Sequence, residues 1–132
     1  MIKWILTFCF FAQCAIAADA RLFSSYTWSN PDDNFGGLSS INLGNDGKKF
    51  LMTTDHGKFF SGEIIRNQTE ITGVTKQRLS PIKDTKGNST SGKKLGDSEG
   101  IAIHANGRIY VSFERYHRVW TYRVETHAKV TL

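Results

Sequence analysis

From Leu38 onward the chain falls into short runs in which apolar and polar residues alternate, separated by Gly, Asn and Asp. A period of two places successive side chains on opposite faces of a strand. The clearest run is Arg108–Phe113, where Ile109, Val111 and Phe113 share one face and Tyr110, Ser112 and Glu114 the other. Ile101–His104 precedes it across Ala105-Asn106-Gly107, and Val119–Val124 follows, with Arg118, Trp120 and Tyr122 on one side. An analogous set lies earlier: Leu38–Leu43, Phe50–Asp55 and Phe59–Ile65, joined through Gly44-Asn45-Asp46-Gly47 and Asp55-His56-Gly57-Lys58. Leu38 and Ile41 are out of phase, which predicts a bulge. Strands joined by such tight turns pair in antiparallel meanders. No run after the first 20 residues has a helical period, so the expected fold class is all-β.

The two sets repeat one plan. Laying Phe50–Asp55 over Ile109–Glu114 matches Phe50 with Ile109, Met52 with Val111 and Thr53 with Ser112. Both strands then run out onto a carboxylate, Asp55 in one and Glu114 in the other. The spacing from Asp55 to Glu114 exceeds the roughly 40–45 residues of a compact propeller repeat. The excess lies in a polar insert, residues 66–95, which reads as a long surface loop with a short strand at Ile71–Val74. Arg21–Trp28 reads as a leading strand, stopped by Ser29-Asn30-Pro31-Asp32-Asp33. At the other end Val124, Thr126, Ala128, Val130 and Leu132 keep the alternation, which predicts one last continuous strand.

Composition changes this picture at the N-terminus. Lys3 followed by the apolar run from Trp4 to Phe11, and then Ala15-Ile16-Ala17, has the three-part form of a secretory signal over residues 1–17, with cleavage sites reaching to residue 20. That run is too short for a spanning helix, so no transmembrane segment is expected once the signal is removed. The mature domain is then 18–132, secreted or periplasmic. Both cysteines, Cys9 and Cys14, belong to the signal, so the domain holds together without disulfides. The net charge of +5, which falls by one with the loss of Lys3, is a mild bias toward anionic partners such as phosphate esters or membrane surfaces. It is not a nucleic-acid signature, because no basic helix or binding motif accompanies it. Lys76, Arg78, Lys83, Lys86, Lys93 and Lys94 concentrate the charge in the insert and read as a solvated loop.

Phe35-Gly-Gly-Leu-Ser39, Asp97-Ser-Glu-Gly-Ile101 and Val111-Ser-Phe-Glu-Arg115, the last followed by Arg118-Val-Trp-Thr-Tyr122, carry a family resemblance. In this order, with Asp55-His56-Gly57 between them, they resemble the family called "esterase-like activity of phytase", the phytase-like domains of exported bacterial proteins. The resemblance implies a β-propeller-like fold and hydrolysis of a phosphoester or carboxyester. Members of the family are longer than this chain, and a propeller closes with about four to eight blades. The expectation is therefore the N-terminal part of such a domain, an incomplete propeller. Its open sheet edges would favour self-association.

Candidate chemistry centres on carboxylates. Asp55, Glu99 and Glu114, with the cation Arg115, are the catalytic candidates. Asp97, Glu99 and Glu114 are the candidate metal ligands, with Ca²⁺ the expected ion because it takes several oxygen ligands. Acidic residues beside Gly also cap turns by accepting backbone N–H bonds, and that structural role is the competing one. Gly37-Leu38-Ser39-Ser40-Ile41 lacks the last glycine of a nucleophile elbow and no helix follows, so Ser39 reads as a sheet serine. His56, His104, His117 and His127 have no metal-ligand spacing, although His56 adjoins Asp55. The expected activity is hydrolysis of a small anionic ester. The alternatives are a non-catalytic binding module or an inactive truncated fragment.

Overall fold

The computed structural model describes residues 20–125 and 129–131, and the signal-like segment lies outside them. Among the described residues, eight strands form two four-stranded antiparallel sheets. The first contains β1 (Leu38–Leu43), β2 (Lys49–Thr54), β3 (Lys58–Asn67) and β4 (Glu70–Pro81). A single helical turn, α1 (Lys93–Gly96), leads into the second, with β5 (Ser98–Ile103), β6 (Arg108–Phe113), β7 (Arg118–Glu125) and β8 (Lys129–Thr131). Each sheet is a meander, with neighbours in space following their order in the chain.

The internal repeat extends to the register. In the first sheet Leu38 pairs with Thr54 and Ile41 with Met52; in the second Ser98 pairs with Phe113 and Ile101 with Val111. Both inner strands carry a bulge at the matching place, between Leu38 and Ser40 and between Ser98 and Gly100. The turns match too, for Gly47 N–H donates to Gly44 O and Gly107 N–H donates to His104 O.

The sheets stack head to tail. Leu51 and Phe59 of the first sheet face Ile109, Val111 and Tyr122 of the second. By the repeat, Ile109 and Val111 correspond to Phe50 and Met52, which lie on the opposite face of the first sheet. Unlike faces therefore meet. Ile82, Phe113 and Trp120 complete this core, with the Phe59 and Tyr122 rings edge-on at 5.4 Å. Burying each such side chain contributes about 1.5–3 kcal/mol. The far face of the first sheet is closed by residues that precede it: Trp28 packs on Phe35, Phe50 and Phe60 with ring centroids 4.8–5.8 Å apart.

Three expectations are corrected. The insert is not mainly loop, because β4 takes up Glu70–Pro81. Ile82 and Thr90 beyond it are buried. An outer strand is wetted on both sides, so it needs no apolar alternation; its β-branched Ile71, Thr72, Val74 and Thr75 suit a strand instead. Arg21–Trp28 forms no strand; Trp28 acts through its ring. Finally, the last segment turns back on itself, with Val124 paired to Val130 and Glu125 to Lys129. An odd number of intervening residues preserves the phase of the alternation, so pattern alone could not separate one strand from a hairpin. Thr126, Ala128, His127 and Leu132 fall outside the described residues.

Candidate functional site

At one end of the paired inner strands the two sheets bring their carboxylates together. Glu114 follows β6 directly, and its N–H donates to the carbonyl of Asp97 at 2.9 Å, which fixes Asp97 at the threshold of β5. Between them Glu99 is the extra residue of the β5 bulge, since Ser98 pairs with Phe113 and Gly100 with Ser112. A bulge re-aims a side chain that regular pairing would place elsewhere. The result is a cluster in which carboxylate oxygens of Asp97, Glu99 and Glu114 lie within 4.8 Å of one another.

The electrostatics of the cluster are unbalanced. Partial loss of hydration pushes the Glu99 carboxyl above its ordinary value, and the negative charges of Asp97, Glu114 and Asp55 push it further. A hydrogen bond with the Asp97 carboxyl acts in the same direction, because two carboxyl groups can share such a bond only with a proton between them. Asp97 is almost buried, and its Oδ2 accepts from Arg115 Nε at 3.0 Å. These residues differ from the acids that do cap turns. Asp46 accepts from the N–H groups of Lys48 and Lys49, and Asp84 from those of Lys86 and Asn88. Backbone donors hold both carboxyls below the usual range.

The first sheet supplies the remaining candidate. Asp55 N–H donates to Gly37 O at 2.8 Å, the counterpart of the Glu114–Asp97 bond. His56 Nδ1 lies 2.8 Å from Asp55 Oδ1. Gly37 takes the place of Asp97 and Ser39 that of Glu99, so the repeat puts one carboxylate on this side and three on the other. Gly37 has φ +58, and a Cβ there would fall 1.8 Å from Asp55 Oδ1, which makes the glycine part of the site. Ser39 Oγ donates to Ser98 O and, at 3.2 Å, to Thr53 O, and so ties the two sheets together. Buried Ser98 returns the link, its Oγ donating to Thr54 O at 2.7 Å. His104 caps its own turn through Nδ1, remote from the cluster.

The structure thus gathers Asp55, Asp97, Glu99, Glu114 and Arg115 at one mouth. Sequence reasoning missed Gly37 and Ser98 as parts of this site, and Arg118 packs within the second sheet instead. The Arg118 guanidinium lies over the Phe113 and Trp120 rings, 3.9 and 4.3 Å from their centroids. Its alternation with Trp120 and Tyr122 was the available signal. For Gly37 the signal was the doubled glycine before a strand.

Three oxygen donors with surplus negative charge fit a hard divalent cation, which would relieve the repulsion that raises Glu99. Among the described residues no helix is long and apolar enough to cross a membrane.

Paired meander sheets with an acidic mouth define the class as an all-β protein with a candidate oxygen-ligand metal centre. A family model described as "Phytase-like: Esterase-like activity of phytase" matches residues 33–131, and the chain belongs to that family. No curated protein and no solved structure matches it.

Proposed function

We propose that the protein is an exported, phytase-like hydrolase domain that cleaves a small anionic ester at the Asp97–Glu99–Glu114 mouth, with Ca²⁺ as the resident ion. The observation that carries this reading is the 4.8 Å convergence of three carboxylates, in a chain of a family named for esterase-like activity. A bound divalent cation supplies positive charge against the ester's phosphate. The protein's own groups do the rest. Asp97, oriented by Arg115, and Glu114 would hold the ion, with Glu99 as the third oxygen donor. Arg115 presents a guanidinium suited to phosphate oxygens. With an ion bound, Glu99 would be ionised as a ligand, so as water adds to the phosphorus or acyl carbon and the ester bond breaks, the proton that the water loses would pass to the leaving oxygen. Asp55, beside His56, borders the same mouth.

The architecture is read as two propeller-type blades. Head-to-tail stacking supports this, because unlike faces in contact generate a continuing series rather than a closed pair. The same geometry supports self-association.

The test is hydrolysis of p-nitrophenyl phosphate with Ca²⁺ and with a chelator, with p-nitrophenyl acetate as the uncharged comparison. Glu99→Ala with Glu114→Ala is expected to lower the rate at least about 100-fold, in the range of lost electrostatic stabilisation of a transition state, and the chelator to do the same to the unmutated protein. Undiminished turnover in the folded double variant would overturn the assignment.

A further inference from the structure

Beside the turn that joins β5 to β6 lies a small pocket of about 200 Å³, lined by Asn106, Gly107, Arg108 and Arg123. Arg108 opens β6 and Glu114 follows its far end. About 20 Å of extended strand therefore separates this pocket from the carboxylate mouth.

The register makes the pocket basic. Arg108 stands directly opposite Arg123 across β6 and β7, and residues so paired project from the same face of the sheet. Like charges in that position repel and destabilise the pairing. The internal repeat shows that the strand plan does not require it. At the matching position the first sheet sets Lys49 opposite Glu63, a base against an acid. In the second sheet the acid has become another base. Among the described residues no carboxylate lines the pocket. Glu125, the next acid along β7, stands opposite Lys129 in the register.

Asn106 adds a neutral donor. Its Oδ1 accepts from the Arg108 N–H at 3.1 Å, which leaves the hydrogens of Nδ2 for a ligand. Two guanidinium forks and an amide, with no acid among them, suit the oxygens of a tetrahedral oxyanion.

We propose that this pocket binds a phosphate dianion, free or as the terminal group of a small ester, between Arg108 and Arg123 with Asn106 as the third donor. The anion replaces one repulsion with two attractions, so its affinity depends on both arginines together. Both side chains are exposed, which leaves room for the remainder of an ester to point into solvent. The site does not depend on the hydrolysis proposed at the mouth.

The experiment is an amide-resolved NMR titration of the protein in metal-free buffer. Inorganic phosphate and glycerol 3-phosphate are each compared with chloride at constant ionic strength. Saturable shifts at Asn106, Gly107, Arg108 and Arg123 are expected, with phosphate at least about tenfold tighter than chloride. Arg108→Gln and Arg123→Gln should each weaken phosphate about tenfold or more. Arg123→Glu, which restores the base–acid pairing of the first sheet, should abolish binding. Binding of inorganic phosphate without glycerol 3-phosphate would support the free ion as the ligand, and binding of both a terminal phosphate group. Chloride binding as tightly as phosphate, unchanged phosphate affinity in a folded glutamine variant, or shifts centred on Glu99 and Glu114 would each overturn the proposal. Where no variant folds, the place of the shifts and the phosphate-to-chloride ratio in the unmutated protein decide it. Ester hydrolysis is a separate readout, so its absence leaves this result standing.

Discussion

Glu99 shows how one residue's surroundings set its chemistry. Lost hydration and three neighbouring carboxylates raise its proton affinity in the folded state. The stability this group contributes is therefore present below the ordinary value of 4.5 and is lost as pH rises through the raised folded value. Glu99→Gln cannot lose that contribution. In metal-free buffer the variant should match the unmutated protein below pH 4.5 and be more stable above the Glu99 transition, by less than ~1 kcal/mol because the group is exposed and solvent-screened. Thermal unfolding across pH measures this, and a variant less stable at neutral pH would contradict the crowding. Gly37 is the second case. Gly37→Ala adds both a left-handed backbone penalty and a collision with Asp55, whereas Gly47→Ala at φ +64 meets nothing within 4 Å. Urea midpoints should place Gly47→Ala about 1 kcal/mol down and Gly37→Ala clearly below it.

Individual elements were legible to different degrees. β6 and β7 stood out because each has one face in a core, so burial writes an alternation into the sequence. β2 and β3, covered by the second sheet on one face and by Trp28 on the other, stood out instead as apolar runs between tight turns. β4 carried no such alternation, being an outer strand solvated on both faces. Its role emerges at the residue next to its end, since Ile82 N–H donates to Gly57 O at 2.8 Å and the Ile82 side chain enters the core. Ile82→Ala should cost about 2–5 kcal/mol, the usual range for truncating a buried isoleucine. A loss below about 1 kcal/mol in chemical denaturation would mean that the insert docks only loosely. Of the candidate site, Asp97 and Glu99 were visible as acids next to glycines, and Asp55 and Glu114 as acids just after a strand. The Glu99 bulge was not, because a register slip of one residue depends on the partner strand.

Across the whole molecule the unlike-face stack leaves Tyr110, Ser112, Val119 and Thr121 on the outer side of the second sheet. These correspond by the repeat to Leu51, Thr53, Phe59 and Ser61, two of which, Thr53 and Phe59, are fully buried against the second sheet. Val119 is 63% exposed. The proposed self-association should therefore appear as a concentration-dependent rise in mass by light scattering, and Val119→Lys should abolish it. A monomer at every concentration would refute it.

The sequence by itself determined the strands with a buried face, the tight turns, the doubled plan and the family, because these depend on neighbours close along the chain or on short ordered motifs. Only the tertiary structure decided which faces meet, that the polar insert supplies a strand, and that Asp97, Glu99 and Glu114 converge. Those outcomes rest on contacts between residues far apart in the chain, such as the hydroxyl of Ser98 on the carbonyl of Thr54, and local pattern does not encode such pairings.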